Sequence, residues 1–388
     1  MYDFDKLTER RNTGSLKWDV TERELPMWVA DMDFETAPEI REAIRERAAH
    51  GIFGYNIVTE DWYDAYIGWW SRRHHITFER DWLIFCTGVV PAISSAVRKL
   101  TTVGENVLVQ TPVYNIFFNS IRNNGRNILE SPLVYDGREY HIDFADLEKK
   151  LSDPQTTLML LCNPHNPVGK IWNRETLEKI GELCAKHHVL VLSDEIHCDM
   201  TDPGYEYIPF ASVSETCREN SITCIAPTKT FSIPGIQTAA VMVPNPVIRH
   251  KLNRGLNTDE VAEPNSFAVC AAVAAFEKGE PWLEELRQYL ADNKQLVRDF
   301  VERELPAICV VPSHATYLLW LDCGYVTHNA TELVHFIREH SGLYLTEGEE
   351  YGKPGKKFIR LNTACPRARL EEGLNRFRDS VRAYAEKR

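Results

Sequence analysis

Five short apolar runs punctuate the middle of the chain, at 83–86, 106–109, 158–161, 189–192 and 221–225. Each is four or five residues long and lacks the alternation of a half-solvated strand, so each reads as a strand buried on both faces. Helical patterns fall between several of them, most clearly over 174–188. Strand–helix alternation of this kind predicts an α/β fold, a largely parallel sheet covered by helices.

The texture changes near Pro281, which opens a long amphipathic helix with Leu283, Leu286, Leu290, Val297 and Phe300 on one face. Strands are expected near 316–321 and 357–361, with helices over 331–340 and 367–384. This is an α+β pattern. A chain of 388 residues accommodates two cored units. The expected division is a large unit over 51–280 and a smaller one over 1–50 with 281–388.

A net charge of -12 argues against nucleic-acid or anionic-membrane partners, which require a basic face. The ten cysteines are scattered singly with no C-x-x-C pair, and Cys162, Cys184, Cys224, Cys270 and Cys309 sit in apolar stretches. Buried, reduced thiols and a cytoplasmic location are therefore expected. The first residues carry no apolar signal-peptide core, and the run 267–276 is too short to span a bilayer. The pairs His74-His75 and His187-His188 lack the i, i+4 spacing of helical zinc ligands, so solvated or capping roles are expected and no metal. Trp62, Tyr66 and Trp69 share a helical face, which reads as core or subunit packing.

Reactive residue types cluster at the ends of the apolar runs. Thr87-Gly88-Val89-Val90-Pro91 joins a strand to a helix: Gly88 is expected to let the backbone turn tightly, and the free N–H groups of the first turn can cradle a phosphate. Asn166 lies in Asn163-Pro164-His165-Asn166-Pro167-Val168-Gly169, Asp194 ends a strand ahead of Glu195-Ile196-His197, and Lys229 follows another in Pro227-Thr228-Lys229-Thr230. Taken singly, these residues also suit an ordinary turn, a helix cap and a surface lysine. In this order, an amide, a carboxylate and an amine are what pyridoxal phosphate (PLP) requires. The amine forms a Schiff base with the aldehyde, the carboxylate keeps the ring nitrogen protonated, and the amide donates to the ring oxygen. Arg360, inside an apolar strand, needs a carboxylate partner, internal or the substrate's.

With these motifs in register, the whole chain resembles the fold-type I PLP enzymes of the class I/II aminotransferase superfamily. More narrowly it resembles the MalY/PatB-type cystathionine β-lyases, through Gly14-Ser15-Leu16-Lys17-Trp18-Asp19, Trp28-Val29-Ala30-Asp31-Met32-Asp33-Phe34 and Ile359-Arg360-Leu361-Asn362-Thr363-Ala364. The resemblance implies a large domain with a mostly parallel seven-stranded sheet, plus a smaller α+β C-terminal domain. It implies Lys229 as the Schiff-base and proton-transfer lysine, Asp194 opposite the ring nitrogen, Asn166 on the ring oxygen and Tyr114 stacked on the ring. Lys229, Asp194 and Tyr114 form the implied catalytic set. Gly88, Val89, Val90 and Thr228 would hold the phosphate, with His197 near the ring. Tyr55 would reach in from a neighbouring subunit of a homodimer with shared active sites. Arg360, Asn166 and the backbone at Ala30 would bind the amino-acid substrate. His197 and Gln237 stand where an aspartate aminotransferase has tyrosine and arginine, departures usual in the lyase subgroup. The implied reaction is β-elimination from cystathionine or a related cysteine S-conjugate; the alternatives are transamination and a regulatory binding role.

Overall fold

The computed structural model describes residues 2–387. Seven strands, β1 (Leu83–Cys86), β2 (Asn106–Val109), β3 (Asn127–Glu130), β4 (Thr156–Cys162), β5 (Leu190–Asp194), β6 (Ser221–Ile225) and β7 (Ala239–Met242), form one sheet. Its order is β1-β7-β6-β5-β4-β2-β3, and only β7 runs against its neighbours. The five apolar runs are five of these strands. The other two lie outside those runs: β3 is a partly exposed edge strand, and β7, though apolar, begins with two alanines, which are weak strand formers.

Alternate residues of each strand enter different cores, which is why the strands read as continuous apolar runs. Val107 and Val109 pack with Ala92, Ile93, Ala96 and Val97 on one face, whereas Leu108 packs with Leu177, Ile180 and Cys184 on the other. Ahead of them in the chain come α1 (Pro38–Ala49) and α2 (Glu60–His74). The two covering helices are α3 (Val89–Leu100) and α4 (Arg174–Lys186); Asn173 starts α4 by accepting from the Thr176 N–H. Trp62, Tyr66, Trp69 and Trp70 of α2 are fully buried, packed with Phe276 of α5 (Ala268–Lys278).

A second sheet holds β8 (Cys309–Val310), β9 (Leu318–Asp322), β10 (Thr346–Glu347) and β11 (Phe358–Asn362), antiparallel in the order β8-β9-β11-β10. It packs with α6 (Glu280–Glu304), α7 (Ala330–Ser341) and α8 (Arg367–Glu386) around Val297, Leu319, Leu333, Ile337, Leu370 and Phe377. Pro281 sits in the first turn of α6. Leu25–Pro26 pairs in parallel with Leu343–Tyr344 of this unit, while Ala37 and Ile40 at the start of α1 share a core with Ala271 and Ala272 of α5. The first fifty residues thus contact both units.

Two local expectations are corrected. His75 ends α2 in the left-handed region, but His74 is partly buried rather than solvated, its side chain 7% exposed with Nε2 at 2.8 Å from Asp199. All ten cysteines are unpaired, yet Cys309 is exposed because β8 is a two-residue strand at the sheet edge. No helix among the described residues is long and apolar enough to cross a membrane.

Candidate active site

Strand register brings the distant motifs together. Cys162 of β4 pairs with Asp194 of β5, and Asp194 pairs with Cys224 of β6. The loops that follow these parallel strands therefore open at one edge of the sheet, where α/β folds present ligand-binding groups. They enclose a cavity of about 280 Å³ lined by Ala30, Gly88, Val89, Val90, Tyr114, Asn166, Asp194, His197, Thr228 and Lys229.

At one end α3 begins without a side-chain cap. Its first N–H groups and the positive end of its dipole suit an anion. Gly88 has φ 175° and ψ 161°, extended backbone and not the tight turn expected. What bears on its lack of a side chain is space, since a Cβ there would stand 3.2 Å from the Pro91 ring.

Asn166 is held in a turn closed by His165 N–H to Lys170 O and Gly169 N–H to His165 O, at 2.8 and 2.7 Å. Gly169 has φ +73°, and its carbonyl accepts from His314 and Ala315 N–H, tying the turn to the C-terminal unit. The Asn166 side-chain oxygen accepts from Arg360 Nη1 at 3.3 Å, which leaves the NH₂ end as the donor.

Asp194 is buried with one hydrogen-bond donor of its own, the Ile196 N–H at 3.2 Å. Burial pushes its pKa up to about 7, against the Ile196 bond and the Lys229 charge. A cationic N–H opposite it would restore the ionised form. Glu195 beside it is engaged elsewhere, accepting from Ser193, Tyr207 and the Phe210 N–H, and so fixes the loop. Burial, with the Lys229 and Arg360 charges, drives His197 down to about 3, so its imidazole is neutral; its Nδ1 is buried without a partner.

The Lys229 amine donates to the Ala30 carbonyl at 2.5 Å, and burial lowers its pKa to about 8. Tyr114 packs edge-on against Phe117, and burial raises its pKa. Arg360, 5% exposed, meets Asn166 and the Trp28 carbonyl at 2.9 Å and lies over the Tyr351 ring. Among the described residues no carboxylate pairs with it. Its Nε is buried without a partner, so the internal carboxylate offered as one alternative is not met among the described residues. Tyr55 is fully exposed and does not line the cavity.

The sequence does not single out Tyr317 and Asn362 as site residues. Tyr317 OH donates to the same Ala30 carbonyl at 3.2 Å, and Asn362 Nδ2 donates to the carbonyls of Val29 and Asp31. The stretch 28–31 thus presents a row of carbonyls that positions Arg360, Lys229 and Asn362. Gln237 reaches the cavity from a left-handed backbone, φ 57°. The whole donor set suits a flat nitrogen heterocycle bearing an aldehyde and a phosphate, beside an amino-acid carboxylate.

Comparison with known proteins agrees with this architecture. Residues 25–377 match the family "Aminotransferase class I and II". The chain is 44% identical to cystathionine beta-lyase PatB of Bacillus subtilis, covering 98% of this chain and 100% of that one. It is 33% identical to protein MalY of Escherichia coli, over 99% of this chain and all of MalY. The solved structure of cystalysin from Treponema denticola, which contains pyridoxal 5'-phosphate, superposes with a TM-score of 0.95 at 33% identity, covering 99% of each chain. Fold, edge-of-sheet cavity and full-length match coincide: the chain belongs to the class I and II aminotransferase family, alongside PatB and MalY.

Proposed function

We propose that the chain is a PLP-dependent carbon–sulfur β-lyase, splitting cystathionine or a related cysteine S-conjugate into a thiol, pyruvate and ammonia. The observation that carries this reading is the convergence of Lys229, Asp194, Asn166 and the uncapped start of α3 on one cavity. The buried Asp194, whose one hydrogen-bond donor among the described residues is the Ile196 N–H, and the amine at about 8 both fit the cofactor. The relative named cystathionine beta-lyase PatB supports the lyase branch.

PLP, when bound, supplies an electron sink that acidifies the substrate Cα–H. Lys229 is the amine that would hold the cofactor and would move the Cα proton; its lowered pKa keeps a useful fraction unprotonated near neutrality. Asp194 would keep the ring nitrogen protonated, Asn166 would donate to the ring oxygen and Tyr114 would cover the ring. Gly88, Val89, Val90 and Thr228 would hold the phosphate. Neutral His197 adds a polar contact without a charge beside the ring. Arg360 takes the substrate α-carboxylate, with Ala30 and Asn166 at its side. The thiolate leaves from Cβ, and cystathionine plus water balances to homocysteine, pyruvate and ammonia.

The same reading assigns a homodimer in which Tyr55 serves the other subunit's phosphate, supported by the exposed apolar stretch Ile52, Phe53, Tyr55 and Ile57. It assigns 51–280 to the cofactor-binding unit and 1–50 with 281–388 to the smaller one, supported by the start of α6 at Glu280. Unpaired cysteines support the reducing cytoplasm. The test is incubation with cystathionine and no keto acid. Sustained release of homocysteine, pyruvate and ammonia is expected. A single turnover that restarts only on adding a keto acid would instead assign transamination.

A further inference from the structure

Asp199 lies outside the cavity, on the loop that follows Asp194, and its side chain is fully buried. Its carboxylate accepts from Trp69 Nε1 at 3.1 Å, His74 Nε2 at 2.8 Å and Thr230 Oγ1 at 3.0 Å, while Arg73 Nε stands at 3.2 Å. Trp69, Arg73 and His74 all come from α2, and Arg73 also pairs with Glu280 and Glu284 of α6. A buried carboxylate is tolerated only among such donors. Burial pushes its pKa up, but His74, Arg73 and Thr230 more than offset this and hold it below the ordinary value.

The consequence falls on Lys229, because Thr230 is the next residue and is itself fully buried. The turn carrying Lys229 is closed by Phe231 N–H to Pro227 O and Ile233 N–H to Thr228 O. Those bonds lie within the turn and do not tie it to the loop of Asp194 and His197. The Thr230 hydroxyl does, through Asp199. The Asp194 carboxylate, at the end of β5, and the Lys229 amine, in the turn after β6, are thereby set against one fixture anchored on α2. Small errors in such relative placement are costly to a proton transfer.

We infer that Asp199 is a positioning residue for Lys229, acting through the Thr230 hydroxyl. This rests on the reading of Lys229 as the cofactor-binding, proton-moving amine. A metal is the competing use, since ligand atoms of His74, Cys198 and Asp199 lie within 4.8 Å of one another. The Arg73 guanidinium already supplies the cation for that carboxylate, and burial raises the Cys198 thiol well above its ordinary value, which opposes thiolate formation.

Thr230→Val removes the hydroxyl at nearly constant volume. In the holoenzyme, kcat on cystathionine should fall about tenfold with KM within about twofold, the loss of one hydrogen bond to a charged group. The pH midpoint of the visible absorbance of lysine-bound PLP should shift, and amides over 227–233 should exchange faster in the cofactor-free protein. Thr230→Ser should restore all of these. Asp199→Asn should repeat the Thr230→Val effects, and the double variant should add nothing, as for residues acting as one unit. Wild-type absorbance midpoint and amide exchange in Thr230→Val, or additive losses in the double variant, would overturn the assignment. Should Asp199→Asn fail to fold, the Thr230→Val and Thr230→Ser pair decides. A wild-type protein that releases no thiol from cystathionine sinks the lyase reading alone, because absorbance and exchange still report on Asp199.

Discussion

The amine of Lys229 and the carbonyl of Ala30, 199 residues apart in the chain, are joined by a 2.5 Å hydrogen bond. Tyr317 OH shares the same carbonyl at 3.2 Å. The N-terminal segment therefore parks the reactive amine in the cavity. Burial, the largest influence, lowers its pKa from 10.5 to about 8; Asp31 and Asp194 act against this, and Arg360 with it.

That shift has a stability signature. The folded pKa lies below the unfolded one, so between pH 8 and 10.5 the unfolded chain binds more protons at this site. The penalty is fully present below pH 8 and is relieved as pH rises through the window. Cofactor-free wild type should gain on the order of 2 kcal/mol relative to Lys229→Met between pH 8 and 10. Denaturant titrations at both pH values measure it, and parallel pH profiles for the two proteins would contradict the assignment. Lys294, also lowered to about 8, is present in both proteins and cancels.

Arg360→Lys should not behave as a conservative change. The guanidinium holds Asn166 and the Trp28 carbonyl at once, and an ammonium cannot offer the same planar fork to a carboxylate. KM for amino-acid substrates should rise about tenfold or more, in keeping with a lost charge-assisted pair. Visible absorbance of bound PLP should remain. A near-normal kcat/KM would make Arg360 a structural residue.

Mixing two inactive variants tests the shared site. Tyr55 is fully exposed, so within its own chain it has no cavity to serve. Heterodimers of Tyr55→Ala with Lys229→Ala should regain one complete site of two, and hence a measurable part of wild-type activity. Verified heterodimers without activity would return Tyr55 to a purely local role.

Gly169→Ala should destabilise strongly, because two effects add. The residue has φ +73°, and a Cβ would fall 2.1 Å from Ser313 Oγ and 2.6 Å from the Ala315 carbonyl. Gly104 has φ +88° with nothing within 4 Å, so Gly104→Ala isolates the backbone strain alone. Thermal unfolding should show roughly 1 kcal/mol lost at Gly104 and about 2–4 kcal/mol at Gly169. Equal losses would mean the contact with the C-terminal unit is slack.

The parallel sheet and the cavity floor were legible in the sequence because their signals are local. A strand buried on both faces is a continuous apolar run; Asp194 closes β5, and Asn166 and Lys229 follow shortly after β4 and β6. Strands β3 and β7 escaped that signal, one through exposure at the edge and the other through its small residues. Sequence alone also marked Arg360 as needing an anion. Only the tertiary structure decided that, among the described residues, no carboxylate pairs with it, that the 28–31 carbonyls face the site, and that Asp199 reaches Thr230. These contacts join side chains to partners in distant segments. Hydrogen bonds of that kind impose no periodicity or spacing on the chain, so they become visible only once the cores have packed.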